Sequence, residues 1–164
     1  MSYFTLLHVV ISLLGIASGF VVLGGFLIGS EARDRLRGSN AFFLVTTIAT
    51  NATGFGFPFV KLLPSHLLAA LSLAVLAVAV YARYSRTLAG RWNAVYVATS
   101  IFALYVNVLV FVVQAFLKVA LLQKLAPTQQ SPPFAVAQLA TLAAFVAIGI
   151  VAVKRAAAPA VNPA

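Results

Sequence analysis

Five long apolar segments constrain the fold of this 164-residue chain more than any other feature. They cover residues 4–28, 41–59, 65–83, 91–118 and 133–153. A helix needs about 20 residues to cross the hydrocarbon core of a bilayer, and each segment is close to that length or longer. Charged residues make up only 8% of the chain, whereas a soluble domain has about 25%. The sequence therefore predicts an all-α fold, a polytopic membrane bundle of five transmembrane helices that forms one domain over residues 1–155.

Residues that favour helix N-termini precede several of these segments. Ser39 and Asn40 are candidate N-caps of the second segment, Ser65 of the third and Ser131 of the fifth, because their side-chain oxygens can accept a backbone N–H of the first turn. Residues 156–164 are mostly small and include proline, which predicts a disordered tail.

The basic residues are distributed unevenly between the two sides that five spans create. Eight of the eleven share one side, and they are Arg33, Arg35, Arg37, Arg83, Arg86, Arg91, Lys154 and Arg155. The other three are Lys61, Lys118 and Lys124. By the positive-inside rule the N-terminus is outside and the tail is cytoplasmic. The net charge of +9 is then explained by anionic lipid head groups rather than by nucleic acid.

The second segment is the most polar of the five and allows an alternative topology. The sequence TTIATNATGFGFPF at 46–59 holds four threonines and one asparagine, and a Gly-Phe-Gly-Phe-Pro-Phe run ends it. Polar groups in hydrocarbon are costly unless they are paired, so this segment is expected to face other helices. In the alternative, the chain has four spans and the second segment is re-entrant, broken at 54–58.

Polar residues of all five segments are predicted to converge in the outer half of the bilayer. The predicted cluster consists of His8, Ser12, Thr50, Asn51, His66, Asn107, Gln114 and Gln138. One interpretation is that these groups only join helices through hydrogen bonds, as in many membrane bundles. The other is a polar cavity that opens outward beneath the loop at 125–134.

Two histidines on the same membrane side suggest haem or metal ligation, because neutral imidazole is a good ligand for iron and zinc. His8 and His66 lie on different helices, as a bis-His haem b site requires. The alternative is that His8 hydrogen-bonds to Asn51 or Gln114. A catalytic zinc site and a Ser-His-Asp triad are not predicted, because the chain has no cysteine and its two acidic residues are on the opposite side.

These observations favour a non-enzymatic integral membrane protein. It is either an accessory or interaction subunit or a small-ligand binder that uses the polar cluster. One alternative is a haem-binding electron-transfer protein, and another is an oligomeric passive pore for a neutral solute. The predicted partners are the lipid bilayer and either another membrane protein or further copies of the chain, with no nucleic acid.

Three stretches together resemble a known group of proteins. They are LHVVISLLGIASG, TTIATNATGFGFPF and the segment from VFVVQAFLKV to LAPTQQSPPF. They resemble small, uncharacterised inner-membrane proteins of proteobacteria. The resemblance covers most of the chain, implies a bacterial inner-membrane location and a single structural unit, and brings no activity, cofactor or catalytic residue with it.

Overall fold

A computed structural model describes residues 2–28, 36–57 and 64–158, and no strand occurs in these ranges. The six α-helices are α1 (Tyr3–Ile28), α2 (Arg37–Gly54), α3 (Pro64–Val80), α4 (Arg91–Lys118), α5 (Ala120–Leu125) and α6 (Pro132–Ala157). A π-helical turn, Tyr81–Ser85, continues α3. The predicted all-α fold is confirmed for this part of the chain.

Within the described ranges, four helices are long and apolar enough to cross a membrane. They are α1, the stretch His66–Ser85 of α3 with its π-helical turn, α4 and α6. The helix α2 is not among them, because threonines and asparagines lower its hydropathy. Five spans are therefore not confirmed by length and composition, and the four-span alternative fits this count.

The helix α4 lies at the centre of the bundle. It packs against α1, α3 and α6, whereas α2 packs mainly against α1 and α3. Large apolar side chains fill the space between these helices, among them Phe43, Leu76, Val97 and Leu104, all at most 2% exposed. The helix α6 lies at the edge of the bundle, and only 11% of its most apolar stretch is buried.

Helices α1 and α2 run antiparallel and are in contact along nearly their whole length. Close pairs follow one another in a constant register, and these are Phe4–Phe57, His8–Thr53, Gly19–Phe43 and Gly25–Leu36. The contacts begin at the first turn of α1 and continue into its last. The helix α2 and the turn after it therefore cover the same height of the bundle as α1.

Several predicted boundaries need correction. The second helix begins at Arg37 rather than 41, and Asn40 lies inside it, where its amide donates to the carbonyl of Leu36 at 2.7 Å. The prediction that Ser39 and Asn40 cap this helix is therefore wrong. The same helix ends at Gly54 rather than 59, because a glycine there favours termination and another follows two residues later.

The ends of the other helices differ less from the predicted ones. The helix α6 extends to Ala157, so the first residues of the predicted disordered tail are helical, and residues 159–164 lie outside the described ranges. Ser131 precedes α6 as predicted, but its hydroxyl interacts with the N–H of Thr128 rather than capping the helix. The short helix α5 was not predicted.

Candidate functional site

The bundle has two chemically different ends. The histidine end carries His8 of α1 and His66 of α3, where α1 and α3 begin and α2 ends. The opposite end is called the basic end, and its described basic residues are Arg37, Arg83, Arg86, Arg91, Lys154 and Arg155.

At the histidine end, His8 is held by α2. Its Nδ1 lies 2.8 Å from the hydroxyl of Thr53, which itself donates to the carbonyl of Ala49 at 2.7 Å. The direction of this hydrogen bond depends on the tautomer of the imidazole, because both the ring nitrogen and the hydroxyl can donate. The hydrogen-bond partner is Thr53 rather than Asn51 or Gln114.

Each histidine contacts a different phenylalanine of the turn after α2. The ring of Phe57 meets His8 edge-on, with centroids 5.1 Å apart. The ring of Phe55 stacks on His66 at 5.9 Å. Because α2 packs on both helices that carry the histidines, the turn after α2 reaches both imidazoles.

A second set of polar groups lies in the middle of the bundle. Thr47, Thr50, Ser72 and Asn107 form what we call the polar layer. Thr47 and Ser72 are fully buried, Asn107 is 7% exposed, and Thr50 is half-buried. Among the described residues, no hydrogen-bond partner is found for the three hydroxyls or for Nδ2 of Asn107. An unpaired buried polar group costs about 1–3 kcal/mol, so the polar layer is a place where another hydrogen-bonding molecule would be stabilised.

The helix register places Ser72 and Asn107 at the same height. The guanidinium of Arg83 lies 5.3 Å from the ring centroid of Tyr96, which fixes α3 against α4 near the basic end. The helices α3 and α4 are antiparallel. Ser72 lies eleven residues before Arg83 on α3, and Asn107 lies eleven residues after Tyr96 on α4. Both side chains are buried, and α3 packs on α4.

Gly15 brings α1 to this height. A Cβ at Gly15 would lie 3.5 Å from the hydroxyl of Thr47. One turn further along α1, a Cβ at Gly19 would meet the side chain of Leu104, which precedes Asn107 by three residues. Four helices therefore contribute to the polar layer, and the missing side chain of Gly15 leaves α1 close to the α2 hydroxyls.

The remaining residues of the predicted cluster differ in their burial and in their hydrogen-bond partners. Asn51 is buried, and its amide donates to the carbonyl of Thr47 on its own helix at 2.8 Å. Gln138 donates to the carbonyl of Leu109 at 3.3 Å and so joins α6 to α4. Gln114 is exposed. The hydroxyl of Ser12 donates to the carbonyl of His8 at 2.7 Å.

The basic end contains contacts that sequence reasoning missed. The hydroxyl of Tyr96 donates to the side-chain oxygen of Asn40 at 2.7 Å, and both residues are 1% exposed. Arg155 donates to the carbonyl of Leu27. These side chains tie α2 to α4 and α6 to α1. Nothing in the sequence identifies the partner of Tyr96 on another helix.

The described residues contain no group of three or more His, Cys, Asp or Glu side chains that could hold a metal ion. In comparisons with known proteins, no family model matches the chain, and no curated protein or solved structure is significantly similar to it.

Proposed function

We propose that this chain is a non-enzymatic integral membrane protein that binds a small neutral molecule in the polar layer. The observation that carries the proposal is the set of unpaired polar atoms on α2, α3 and α4, which are four of the six found among the described residues. The other two are Oγ of Ser100 and Oε1 of Gln138. Such groups are destabilising when they have no hydrogen-bond partner. A molecule with matching hydrogen-bonding atoms that lies between them would supply the partners.

The chemistry of the polar layer defines the class of ligand. Nδ2 of Asn107 can only donate, so the ligand needs an acceptor oxygen. The hydroxyls of Thr47, Thr50 and Ser72 can donate or accept, so they tolerate hydroxyl, carbonyl or amide groups. None of the four residues is charged, and a buried ion without a partner is strongly disfavoured. A neutral molecule with at least one carbonyl or hydroxyl oxygen fits this set.

The substitution Asn107→Leu tests the proposal, because a bound ligand and an empty polar layer predict opposite changes in the free energy of unfolding. If a ligand satisfies Nδ2, the variant loses a hydrogen bond worth about 1 kcal/mol and becomes less stable. If the polar layer is empty, removal of an unpaired buried amide raises the free energy of unfolding by about 1–3 kcal/mol. Thr99→Val on the same helix is the control, because the hydroxyl of Thr99 is already paired with the carbonyl of Val95 at 2.8 Å.

Mass spectrometry of solvent extracts from the purified protein gives the second measurement. We expect a neutral compound near one equivalent in the unmodified protein and in Thr99→Val, and its depletion in Asn107→Leu. An extract that contains no such compound, together with a stabilised Asn107→Leu variant, would rule out ligand binding. Partner proteins in the same preparation would favour the accessory-subunit alternative.

We also propose that α2 crosses the membrane as a fifth span, with the N-terminus outside and the C-terminal tail in the cytoplasm of a bacterium. The antiparallel register supports this proposal, because α2 accompanies α1 from its first turn to its last. A re-entrant segment would return to the side where it entered, and its contacts with α1 would be confined to one end.

Cysteine labelling tests the fifth span cleanly, since the chain has no cysteine of its own. We expect single variants Ser30→Cys and Leu62→Cys to react with an impermeant maleimide from opposite sides of sealed vesicles. Reaction of both from the same side would establish a re-entrant segment. Alkaline phosphatase fused after Ala164 is expected to be inactive, and an active fusion would reverse the orientation.

A further inference from the structure

A groove of about 520 Å³ lies between α4 and α6. Its lining is apolar along most of its length and includes Ile101, Tyr105, Leu142, Phe145, Gly149 and Lys154. Among the described residues that line it, Lys154 alone is charged. The groove therefore combines an apolar channel with a single positive charge at the basic end.

The length of the groove matches one leaflet of a bilayer. Leu142 and Lys154 are twelve residues apart on α6, which corresponds to about 18 Å of helix. Half of a hydrocarbon core of about 30 Å is roughly 15 Å. With Lys154 at the head-group level, Leu142 lies near the middle of the bilayer. Gly149 keeps the groove open between them, because it has no side chain to fill it.

We propose that this groove holds one acyl chain of an anionic phospholipid whose phosphate pairs with Lys154. The side chain of Lys154 is exposed, whereas its neighbour Arg155 is bound to the carbonyl of Leu27. A lipid phosphate offers an opposite charge to this exposed lysine.

Other basic residues strengthen the preference for an anionic head group. Asn93 donates to the carbonyl of Ala156 at 2.9 Å, which places the first turn of α4 beside the last turn of α6. Arg91, exposed at the start of α4, therefore lies at the same corner of the bundle as Lys154. Each basic residue near a membrane surface strengthens the attraction to anionic lipid.

Charge also argues against a second copy of the chain as the occupant. A symmetric dimer places the same surface patch on both subunits. Packing of two such grooves against each other would bring two Lys154 side chains and two copies of the Arg91 corner together. A lipid phosphate at this corner brings opposite charges together instead.

Native mass spectrometry of the purified protein in an uncharged detergent tests the proposal. Phosphatidylglycerol and phosphatidylcholine with identical acyl chains are added separately, and bound lipid is counted. We expect Lys154→Gln to lower phosphatidylglycerol binding about fivefold, the effect of one basic residue near a membrane surface, with little change for phosphatidylcholine. Gly149→Leu fills the groove and is expected to lower binding of both lipids.

Two matched controls show whether these effects are local. Lys118→Gln removes an exposed lysine that lies outside the groove at the opposite end of the bundle. Gly24→Leu adds the same side chain where a Cβ meets nothing within 4 Å. Both are expected to bind lipid as the unmodified protein does. At Gly149 a Cβ would lie 3.7 Å from a methyl group of Ile101, which is ordinary van der Waals contact, so the fold is expected to tolerate the change.

Three results would overturn the proposal. The first is equal binding of the two lipids by the unmodified protein. The second is unchanged binding in both Lys154→Gln and Gly149→Leu. The third is a dimer that Gly149→Leu dissociates without loss of bound lipid, which would identify the groove as an interface between two copies.

Discussion

The close approach of α1 to α2 and α4 at Gly19 makes a quantitative prediction. A Cβ at Gly19 would lie 2.5 Å from Cδ1 of Leu104 and 2.9 Å from Cε2 of Phe43. Both neighbours are 1% exposed, so neither can turn outward from the bundle. The substitution Gly19→Ala therefore forces side chains or helices apart.

The expected magnitude follows from two opposing effects. Overpacking of a filled core costs about 1–3 kcal/mol. Alanine is also a better helix former than glycine by up to about 1 kcal/mol. The variant Gly24→Ala isolates this second effect, because a Cβ there meets nothing within 4 Å. We therefore expect Gly19→Ala to be less stable than Gly24→Ala by about 1–3 kcal/mol.

Unfolding in mixed micelles, followed by circular dichroism, gives the free energies of unfolding of the unmodified protein, Gly19→Ala and Gly24→Ala. Gly15→Ala is a useful intermediate, because its Cβ would lie 3.4 Å from the hydroxyl oxygen of Thr46, a tight contact without a clash. Equal stability of Gly19→Ala and Gly24→Ala would show that the helices are not closely packed at Gly19, and would refute the reasoning.

Further predictions concern both ends of the bundle. Tyr96→Phe should lower the free energy of unfolding by about 1–3 kcal/mol, because it leaves the buried side-chain oxygen of Asn40 without its donor; an unchanged unfolding midpoint would contradict this. Thr87 is exposed and has a φ of 47°, so Thr87→Gly should relieve backbone strain and stabilise the protein by up to about 1 kcal/mol in the same assay. Because His8 and His66 contact different phenylalanines, we expect the protein purified from haem-supplemented cells to show no Soret band, and a band lost in His8→Ala would show otherwise.

The helices were largely predictable because apolar segments flanked by basic or turn residues are a local signal. The predicted fourth segment, 91–118, coincides with α4, Arg91–Lys118. The second helix was less predictable, because Asn40 satisfies the local pattern of an N-cap. Its actual role depends on Tyr96, fifty-six positions away, and no local pattern contains that information.

The candidate site was predictable in part for the same reason. The predicted polar cluster contained both Asn107 and Gln114 of α4, but only Asn107 is buried. Periodicity identifies the face of a helix and not the height at which a neighbouring helix covers it. The interhelical partner of His8 could not be predicted either. Thr53 is one of four threonines on α2, and no local pattern distinguishes it from the other three.

The pairing of α1 with α2 bears on how the chain is inserted during synthesis. Because of its polar side chains, α2 alone is expected to partition poorly into lipid. The preceding helix α1 is strongly apolar, and its Gly15 lies against the hydroxyls of Thr46 and Thr47. We therefore expect α1 and α2 to leave the translocon together as a helical hairpin. An unrelated apolar helix in place of α1 should leave α2 outside the bilayer.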